Sequence, residues 1–372
     1  MIGKEYSIYI HIPFCKQKCN YCSFYTIPFK ETWCSQYLNA LISEWEIKSK
    51  ELPPFSKLVS IFLGGGTPSL LSFKAINIIL SLFNICNDTE ITLEANPEDI
   101  SKEKFLELKK LGINRVSIGA QSFNNKLLHF LGRNHSKTII FDSINILSDL
   151  GFNNISLDLI YELPFQNLKK WQQTLFYISK LPITHLSIYN LSIEPHSMFY
   201  KYKSTLESTL PSQEEGKNML ETAVNFLKNC NFERYEISAF SRPSFQSIHN
   251  IGYWTNREFI GLGVSASSFW NNSRFKNISH FHKYCRSLEK KIIPIEYKET
   301  LEKKEKNKET LALGLRLING ISLKKFKLTS LLPICLKLAE KNLLTIINND
   351  EVKLSKKGLL FHDSVAEIIM SF

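Results

Sequence analysis

Short apolar runs alternate with amphipathic stretches along residues 1–235. Large apolar residues recur every four positions from Trp33 to Trp45, which predicts a helix over 33–50 that stops before Pro53. Apolar runs of strand length predict six strands, at 7–12, 58–63, 90–95, 115–120, 155–160 and 185–191. Because successive strand–helix units form parallel strands with right-handed crossovers, residues 1–235 are predicted to form an open, partial (β/α)6 barrel.

The rest of the chain predicts a connecting segment, 236–300, and a small C-terminal domain, 301–372. A helix is predicted over 213–230, before the connecting segment, and a strand is predicted over 235–240, where that segment begins. The last segment predicts a small α+β, winged-helix-like domain, from helical patterns at 310–318, 328–340 and 358–370 and two short strands around Asn348-Asn349-Asp350. The predicted fold class is therefore α/β, a barrel followed by a small winged-helix-like domain.

Three cysteines, Cys15, Cys19 and Cys22, follow the first predicted strand. A chain of 372 residues needs no disulfide staple, so a metal centre is the better interpretation. Structural zinc usually takes two pairs of ligands, and no second Cys-x2-Cys or His-x3-His pair follows. A [4Fe-4S] cluster is normally held by four cysteines, and no fourth cysteine lies near this loop. The spacing favours a [4Fe-4S] cluster with one open iron over zinc.

The pattern Cys-x3-Cys-x-Tyr-Cys, with Tyr21 before the last cysteine, resembles the signature of the radical S-adenosylmethionine (SAM) superfamily. This resemblance implies that SAM chelates the open iron. It also implies that the glycine segment, Gly64-Gly65-Gly66-Thr67, approaches SAM, since glycine lets a backbone come close to a ligand. In such a barrel the chemistry collects at the carboxyl ends of the strands, where the cysteine loop and the glycine segment fall.

Further stretches resemble the radical SAM group that contains oxygen-independent coproporphyrinogen III oxidase and the heme chaperones. Among them are Phe62-Leu63-Gly64-Gly65-Gly66-Thr67-Pro68-Ser69, Leu93-Glu94-Ala95-Asn96-Pro97, Gly119-Ala120-Gln121-Ser122-Phe123 and Leu131-Gly132-Arg133. The match spans nearly the whole chain. By motif position it implies that SAM is bordered by Tyr9, Gly65, Gly66, Thr67, Glu94, Gln121, Arg133, Asp158 and Ser192. The alternatives are an inward-facing barrel aromatic for Tyr9 and satisfied structural carboxylates for Glu94 and Asp158.

Two features favour the heme chaperone branch. The oxidase resemblance calls for a fourth cysteine, where Phe24 stands, and for a sizeable segment ahead of a loop that only fourteen residues precede here. The run His249-Asn250-Ile251-Gly252-Tyr253-Trp254 matches the HNxxYW motif of the chaperone branch, whose histidine the resemblance implies in heme binding. Imidazole is a good axial ligand for heme iron, and aromatic faces can stack on the macrocycle. The candidate heme residues are His249, Asn250, Tyr253 and Trp254, and the alternative is an ordinary loop.

The sequence departs from the group's usual pattern at two places. Glu162 stands where family members commonly have glycine, so the turn beside SAM is expected to differ. Ser265 and Ser267 stand where the group usually has Gly and His, which puts any second heme or SAM contact there in doubt.

The net charge of +11 does not by itself indicate nucleic acid. The densest run of charged residues, 302–309, contains both positive and negative side chains, which is typical of a solvated linker or helix face. Acidic residues also reduce the net positive charge of the C-terminal domain. Nucleic acid is therefore not favoured, although an RNA-modifying radical SAM enzyme is a third alternative.

The sequence shows neither a signal peptide nor an apolar run of roughly 18 residues, so a cytoplasmic protein is expected, with peripheral membrane association if its acceptor is a respiratory complex. The resemblance implies heme, a heme-accepting protein and a flavodoxin- or ferredoxin-type reductant as partners. It favours delivery of heme over enzymatic activity. The alternative is the oxidase reaction, in which a propionate side chain of coproporphyrinogen III loses a hydrogen and is decarboxylated to a vinyl group.

Overall fold

The computed structural model describes residues 3–372, and six parallel strands form its centre. In chain order these barrel strands, first to sixth, are Glu5–Ile12, Lys57–Gly65, Glu90–Ala95, Arg115–Gln121, Ile155–Tyr161 and His185–Asn190. Each pairs in parallel with the next. Their bounds agree with the predicted strands to within two residues. The predicted partial (β/α)6 barrel is confirmed.

The two faces of the barrel strands differ in chemistry, because successive side chains of a strand alternate. The outer face is apolar and is buried in the main hydrophobic core, as Ile8, Ile61 and Leu157 illustrate. The inner face is polar and carries the buried residues Ser7, Ser60, Thr92, Arg115, Ser117, Ser156, His185 and Ser187. The barrel therefore encloses a polar interior.

The first six helices cover the barrel and begin at recognisable residues. They are Glu31–Lys48, Phe73–Leu80, Lys102–Lys110, Asn125–Phe130, Lys137–Asp149 and Leu168–Ile178. A side-chain oxygen accepts a hydrogen bond from a first-turn backbone N–H in five of them, at Ser72, Ser101, Asn124, Ser136 and Asn167. These caps fix where the chain turns from strand to helix.

The strand predicted over 235–240 is wrong in extent. The helices Met198–Lys201, Lys203–Glu207 and Gln213–Asn229 lead instead to two short strands, Glu233–Arg234 and Ala239–Ser241, which pair antiparallel with each other. Between them the chain leaves the sheet and pairs with the C-terminal domain, where Ile237 N donates to Arg316 O at 3.1 Å. This second pairing partner interrupts the strand.

Residues 236–300, the predicted connecting segment, extend the sheet of the barrel. The strand Phe259–Leu262 pairs in parallel with the free edge of the first barrel strand. Three antiparallel strands continue the sheet, Ser267–Trp270, Ser273–Asn277 and Ile295–Thr300. The segment also contains the helices Ile248–Trp254 and Phe281–Glu289, and its buried apolar residues belong to the core of the barrel.

A buried carboxylate fastens this extension to the first helix. Glu44 is fully buried and accepts hydrogen bonds from Lys48 Nζ (2.6 Å), Asn277 Nδ2 (2.6 Å), Gly263 N (2.8 Å) and Tyr284 Oη (2.6 Å). Buried charges need such partners. Glu44 therefore joins elements that are more than two hundred positions apart in the sequence.

The C-terminal domain has its own hydrophobic core and the predicted α+β content. Its helices are Lys303–Gly314, Leu332–Glu340, Lys356–Leu360 and His362–Ser371, and its strands are Ile321–Ser322, Leu344–Ile347 and Glu351–Leu354. Asn348 and Asn349, the central residues of the turn in which Asp350 N donates to Ile347 O (3.0 Å), both have φ of 52°. The predicted closing helix over 358–370 is interrupted at Phe361, whose φ is −121°. Among the helices of residues 3–372, none has the length and apolar character of a membrane span.

Candidate functional site

A cavity of about 580 Å³ opens at the carboxyl ends of the barrel strands. Small-molecule sites usually measure roughly 300–1,000 Å³. The cavity brings together eleven of the predicted residues, Cys15, Cys19, Cys22, Gly65, Gly66, Thr67, Glu94, Gln121, Arg133, Asp158 and Ser192. Phe24 also lies in its wall and is 64% exposed. Residues that are up to 177 positions apart in the sequence thus share one site.

The cysteine loop is anchored at both ends. Phe14–Cys15 pairs with Ile27–Pro28, and Asn20 N donates to Leu131 O at 3.0 Å. Two sulfur atoms accept hydrogen bonds, Cys15 Sγ from Thr67 Oγ1 (3.5 Å) and Cys19 Sγ from Arg133 Nη1 (3.4 Å). Such donors favour thiolates. Burial raises the pKa of the free Cys15 thiol to about 11, and coordination to a metal would remove its proton.

The donor set of this loop fits a cluster better than a single ion. Within residues 3–372, no three His, Cys, Asp or Glu side chains converge closely enough to share one metal ion. An iron–sulfur cluster is larger and takes each thiolate on a different iron. Three half-buried cysteines in one short loop, two of them accepting hydrogen bonds, therefore fit a [4Fe-4S] cluster.

The glycine segment differs in one respect from the prediction. Its backbone N–H groups are engaged by the protein: Gly65 N donates to Glu94 Oε2 (3.1 Å), Gly66 N to Ile12 O (2.7 Å) and Thr67 N to Phe14 O (2.8 Å). A side chain at Gly66 would place its Cβ 2.7 Å from Phe14 O. Glycine is needed here for close packing against the cysteine loop.

Arg133 connects three parts of the cavity. Besides Cys19, its guanidinium donates to Asn96 Oδ1 (2.5 Å) and Gly119 O (2.7 Å). Asn96 in turn donates to Thr67 Oγ1 at 3.5 Å. The sequence analysis did not name Asn96 as a site residue, although it follows Glu94 by two positions at the carboxyl end of the third barrel strand.

The two cavity carboxyl groups both have raised pKa values. Burial, and then the charge of Asp158, raises the pKa of Glu94 to about 8. Burial also raises the pKa of Asp158, whose Oδ2 accepts a hydrogen bond from Ser117 Oγ at 3.0 Å. Arg115 lies one inward position before Ser117, is 1% exposed and makes no ion pair within residues 3–372. Its positive charge partly offsets the effect of burial on both carboxyls. Arg115 was also missed, since its spacing matched no motif.

Four other positions that the sequence singled out have unusual backbone conformations or local hydrogen bonds. Gln121 has φ of 65°, at an irregularity between the fourth and fifth strands. The Ser192 hydroxyl donates to Glu194, so it is directed along its own loop. Glu162 and Ser265, the two residues found where the group commonly has glycine, have φ of 58° and 63°. They occupy the left-handed region that glycine adopts without strain.

Tyr9 does not line the cavity. Its hydroxyl hydrogen bonds with His11 Nδ1 at 3.0 Å, and its ring centre lies 6.2 Å from that of Phe62. Burial, together with the charge of Glu94, raises the pKa of Tyr9 well above its usual range. These contacts are those of an inward-facing barrel aromatic, the alternative interpretation, and the contact of Tyr9 with SAM stays a prediction.

The candidate heme residues lie at the opposite end of the barrel, on the helix Ile248–Trp254. His249 is 1% exposed, and its two ring nitrogens hydrogen bond with Ser60 Oγ and Tyr253 Oη, both at 2.9 Å. Burial, and then the charge of Arg257, lowers the pKa of His249 to about 3, so the ring is neutral. Asn250 and Tyr253 are half-buried, and Trp254 packs under the Arg316 guanidinium at 4.3 Å. These four residues do not share the cavity with the cysteines.

Comparisons with known proteins agree with this architecture. The radical SAM superfamily matches residues 9–178. A heme chaperone HemW of Bacillus subtilis (strain 168) is 35% identical over 373 residues, covering 96% of this chain and 97% of the relative. A heme chaperone HemW of Lactococcus lactis subsp. lactis (strain IL1403) is 36% identical over 333 residues, covering 88% and 86%.

Among solved structures, the coproporphyrinogen III oxidase HemN from Escherichia coli, a radical SAM enzyme, superposes with a TM-score of 0.86. The match covers 100% of this chain and 91% of the other at 22% identity, a likeness that shows the fold alone. The fold and the similarity along nearly the whole chain lead to one conclusion: the chain belongs to the radical SAM superfamily and, within it, to the HemW heme chaperone family.

Proposed function

We propose that this protein is a heme chaperone, which binds heme and hands it to an acceptor heme protein. The observation that carries the proposal is the similarity to relatives named heme chaperone HemW, at 35–36% identity over 88–96% of the chain. The proposed acceptor is a respiratory cytochrome. A flavodoxin- or ferredoxin-type protein is the proposed reductant.

The cysteine loop would hold a [4Fe-4S] cluster through Cys15, Cys19 and Cys22. When bound, the cluster supplies an electron and an iron that SAM can chelate. Thr67 and Arg133 donate hydrogen bonds to its cysteine sulfurs, which stabilises negative charge on them. The chain's own contribution is thus to place three thiolates and two donors at the mouth of one cavity.

SAM would occupy the cavity beside this loop. Glu94 and Asp158, which line the cavity, would accept hydrogen bonds from its ribose and amino groups, and Arg133 would interact with its carboxylate. Gly65, Gly66, Thr67, Gln121 and Ser192 would complete the wall. Both carboxyl groups have raised pKa values, and the cationic amino group of SAM would lower them and so favour the charged carboxylates.

A second candidate function is the oxidase reaction on coproporphyrinogen III. The fold of HemN supports it, although at 22% identity that likeness extends only to the fold. Against it, the exposed Phe24 stands where the oxidase pattern has its fourth cysteine. Formation of a vinyl product from coproporphyrinogen III, under anaerobic reducing conditions with SAM, would favour this function.

The test of the chaperone function is a transfer experiment. Cluster-loaded protein is titrated anaerobically with heme, the Soret band is followed, and the loaded protein is mixed with the heme-free form of a b-type cytochrome. We expect saturable, stoichiometric binding, and transfer faster than that from free heme. A Soret change that never saturates, or transfer no faster than with albumin as the heme carrier, would contradict the proposal.

A further inference from the structure

The helix Ile248–Trp254, here called the plug helix, closes the end of the barrel opposite the cavity. Glu90, the first residue of the third barrel strand, accepts hydrogen bonds from Ile248 N (3.0 Å) and His249 N (2.9 Å). The His249 ring lies 5.0 Å from that of Phe62, whose other neighbour on the inner face is Tyr9. The plug helix is therefore fixed to the amino-terminal ends of the barrel strands.

The hydrogen bonds of His249 identify its tautomer. The Ser60 hydroxyl has one hydrogen and donates it to Ser7 Oγ at 2.8 Å, so Ser60 accepts from His249 Nδ1. The proton is thereby assigned to Nδ1, and the lone pair of Nε2 accepts from the Tyr253 hydroxyl. A heme iron needs that lone pair and open space beside it. In this state His249 offers neither.

Unfavourable features on both sides of the plug helix weaken the contacts that hold it against the barrel. Ser244, which precedes the helix, has φ of 70°, the left-handed region that costs most residues free energy. At the contact with the C-terminal domain, Trp254 Nε1 and Arg316 Nε are buried without a hydrogen-bond partner in the described chain. An orphaned buried donor is unfavourable. A helix of seven residues has little stability away from its seat.

Resting on the heme-chaperone function proposed above, we propose that the plug helix is removable and that the closed barrel and heme ligation by His249 exclude each other. Heme reaches His249 only after the helix has left the barrel end. The same movement separates Trp254 from Arg316, so loading with heme also releases a contact of the C-terminal domain. The HNxxYW motif thus has two roles, closing the empty barrel and ligating heme once the barrel has opened.

Hydrogen–deuterium exchange on the cluster-loaded full chain tests this proposal directly. Without heme, the amides of 248–254 should exchange slowly. With heme bound, they should exchange at least tenfold faster, and so should those of 316–318, while the barrel strands keep their protection. If heme is bound through His249 and the plug helix keeps its protection, the proposal is overturned.

Association kinetics supply the second test. If opening precedes binding, the observed rate must level off as heme concentration rises. Arg316→Met removes the cation packed on the Trp254 ring, and Glu90→Gln removes one acceptor for the backbone N–H groups of the plug helix. Neither variant changes His249, and each should raise the plateau of the observed rate about tenfold. Lys337→Met, at an exposed site of the C-terminal domain, is the control and should leave the plateau unchanged. A rate that stays linear in heme and equal in all four proteins overturns the proposal.

His249→Ala separates this proposal from the chaperone function. Normal heme binding and transfer by His249→Ala would overturn the plug proposal and leave the chaperone function standing. A wild-type protein that binds no heme would overturn both. Loss of binding in His249→Ala, together with the exchange and plateau results above, supports the removable plug.

Discussion

The Glu162 carboxylate occupies the space left open by Gly216, where a Cβ atom would lie 1.9 Å from Glu162 Oε1. Glu162 holds a left-handed backbone conformation beside the cavity, and Gly216 lies in the helix Gln213–Asn229. Glycine inside a helix is normally unfavourable. Gly216 is explained by the Glu162 side chain, which fills the space that a Cβ atom at position 216 would need.

Substitution Gly216→Ala should therefore push the Glu162 carboxylate out of its place, and this displacement should offset the gain from alanine's higher helix propensity. We expect the free energy of unfolding, measured with urea, to rise by less than the roughly 1 kcal/mol that alanine gives at an unobstructed helix position. Glu162→Gly should relieve both the overlap and the backbone strain, so the double variant should show the full gain. Additive effects in this double-mutant cycle would contradict the explanation.

Glu44→Ala should be among the most damaging single changes in the barrel. It leaves Lys48 buried without its partner and removes the acceptor of Asn277 and Tyr284, which predicts a loss of about 3–5 kcal/mol. Glu46→Ala, two positions along the same helix, removes only an exposed ion pair with Lys291 and serves as the control. Equal unfolding midpoints for the two variants would show that the Glu44 network contributes little.

The raised pKa of Glu94 predicts a pH dependence of stability for the SAM-free protein. The folded pKa of about 8 lies above the unfolded value, so the favourable contribution of the protonated carboxyl is complete below about pH 4 and is lost as the pH rises to 8. Relative to Glu94→Gln, the wild type should lose up to about 1.4 kcal/mol per pH unit across that window. A constant difference between pH 5 and 8 would mean that Glu94 is charged throughout.

Arg133→Lys should weaken SAM binding without preventing assembly of the cluster. Lysine keeps the positive charge but cannot donate at once to Cys19, Asn96 and Gly119. We expect SAM affinity to fall at least tenfold by calorimetry, while iron and sulfide content stay near those of the wild type. Lys126→Met, an exposed change on the helix Asn125–Phe130, is the control. Loss of iron from Arg133→Lys would instead give Arg133 a structural role in the loop.

The sequence was sufficient for the barrel because each strand is a short apolar run and each following helix has a periodic pattern or a cap. The cavity residues were found for a related reason: carboxyl ends of parallel strands converge, so Glu94 and Asp158 fell beside the cysteines. Residues 259–300 were not recognised, because strands such as Ser273–Asn277 consist mostly of polar residues and owe their position to pairing with other strands.

Burial was the property that spacing predicted least well. The HNxxYW run identified His249 and Tyr253 together, and they do hydrogen bond, yet nothing in the run shows that they lie inside the barrel end. Their partners Ser60 and Glu90 come from strands more than 150 positions earlier in the sequence. Arg115 and Asn96 were missed likewise, since their importance arises from neighbours that only the fold supplies.

The parallel pairing of Phe259–Leu262 with the first barrel strand bears on how the chain is made. Until the ribosome has synthesised that segment, the first strand exposes one row of unpaired backbone groups, and an exposed edge invites association with other chains. Contacts of such long sequence separation also form slowly. The nascent protein should therefore depend on chaperones during synthesis, and truncation before residue 259 should yield aggregates instead of a soluble barrel.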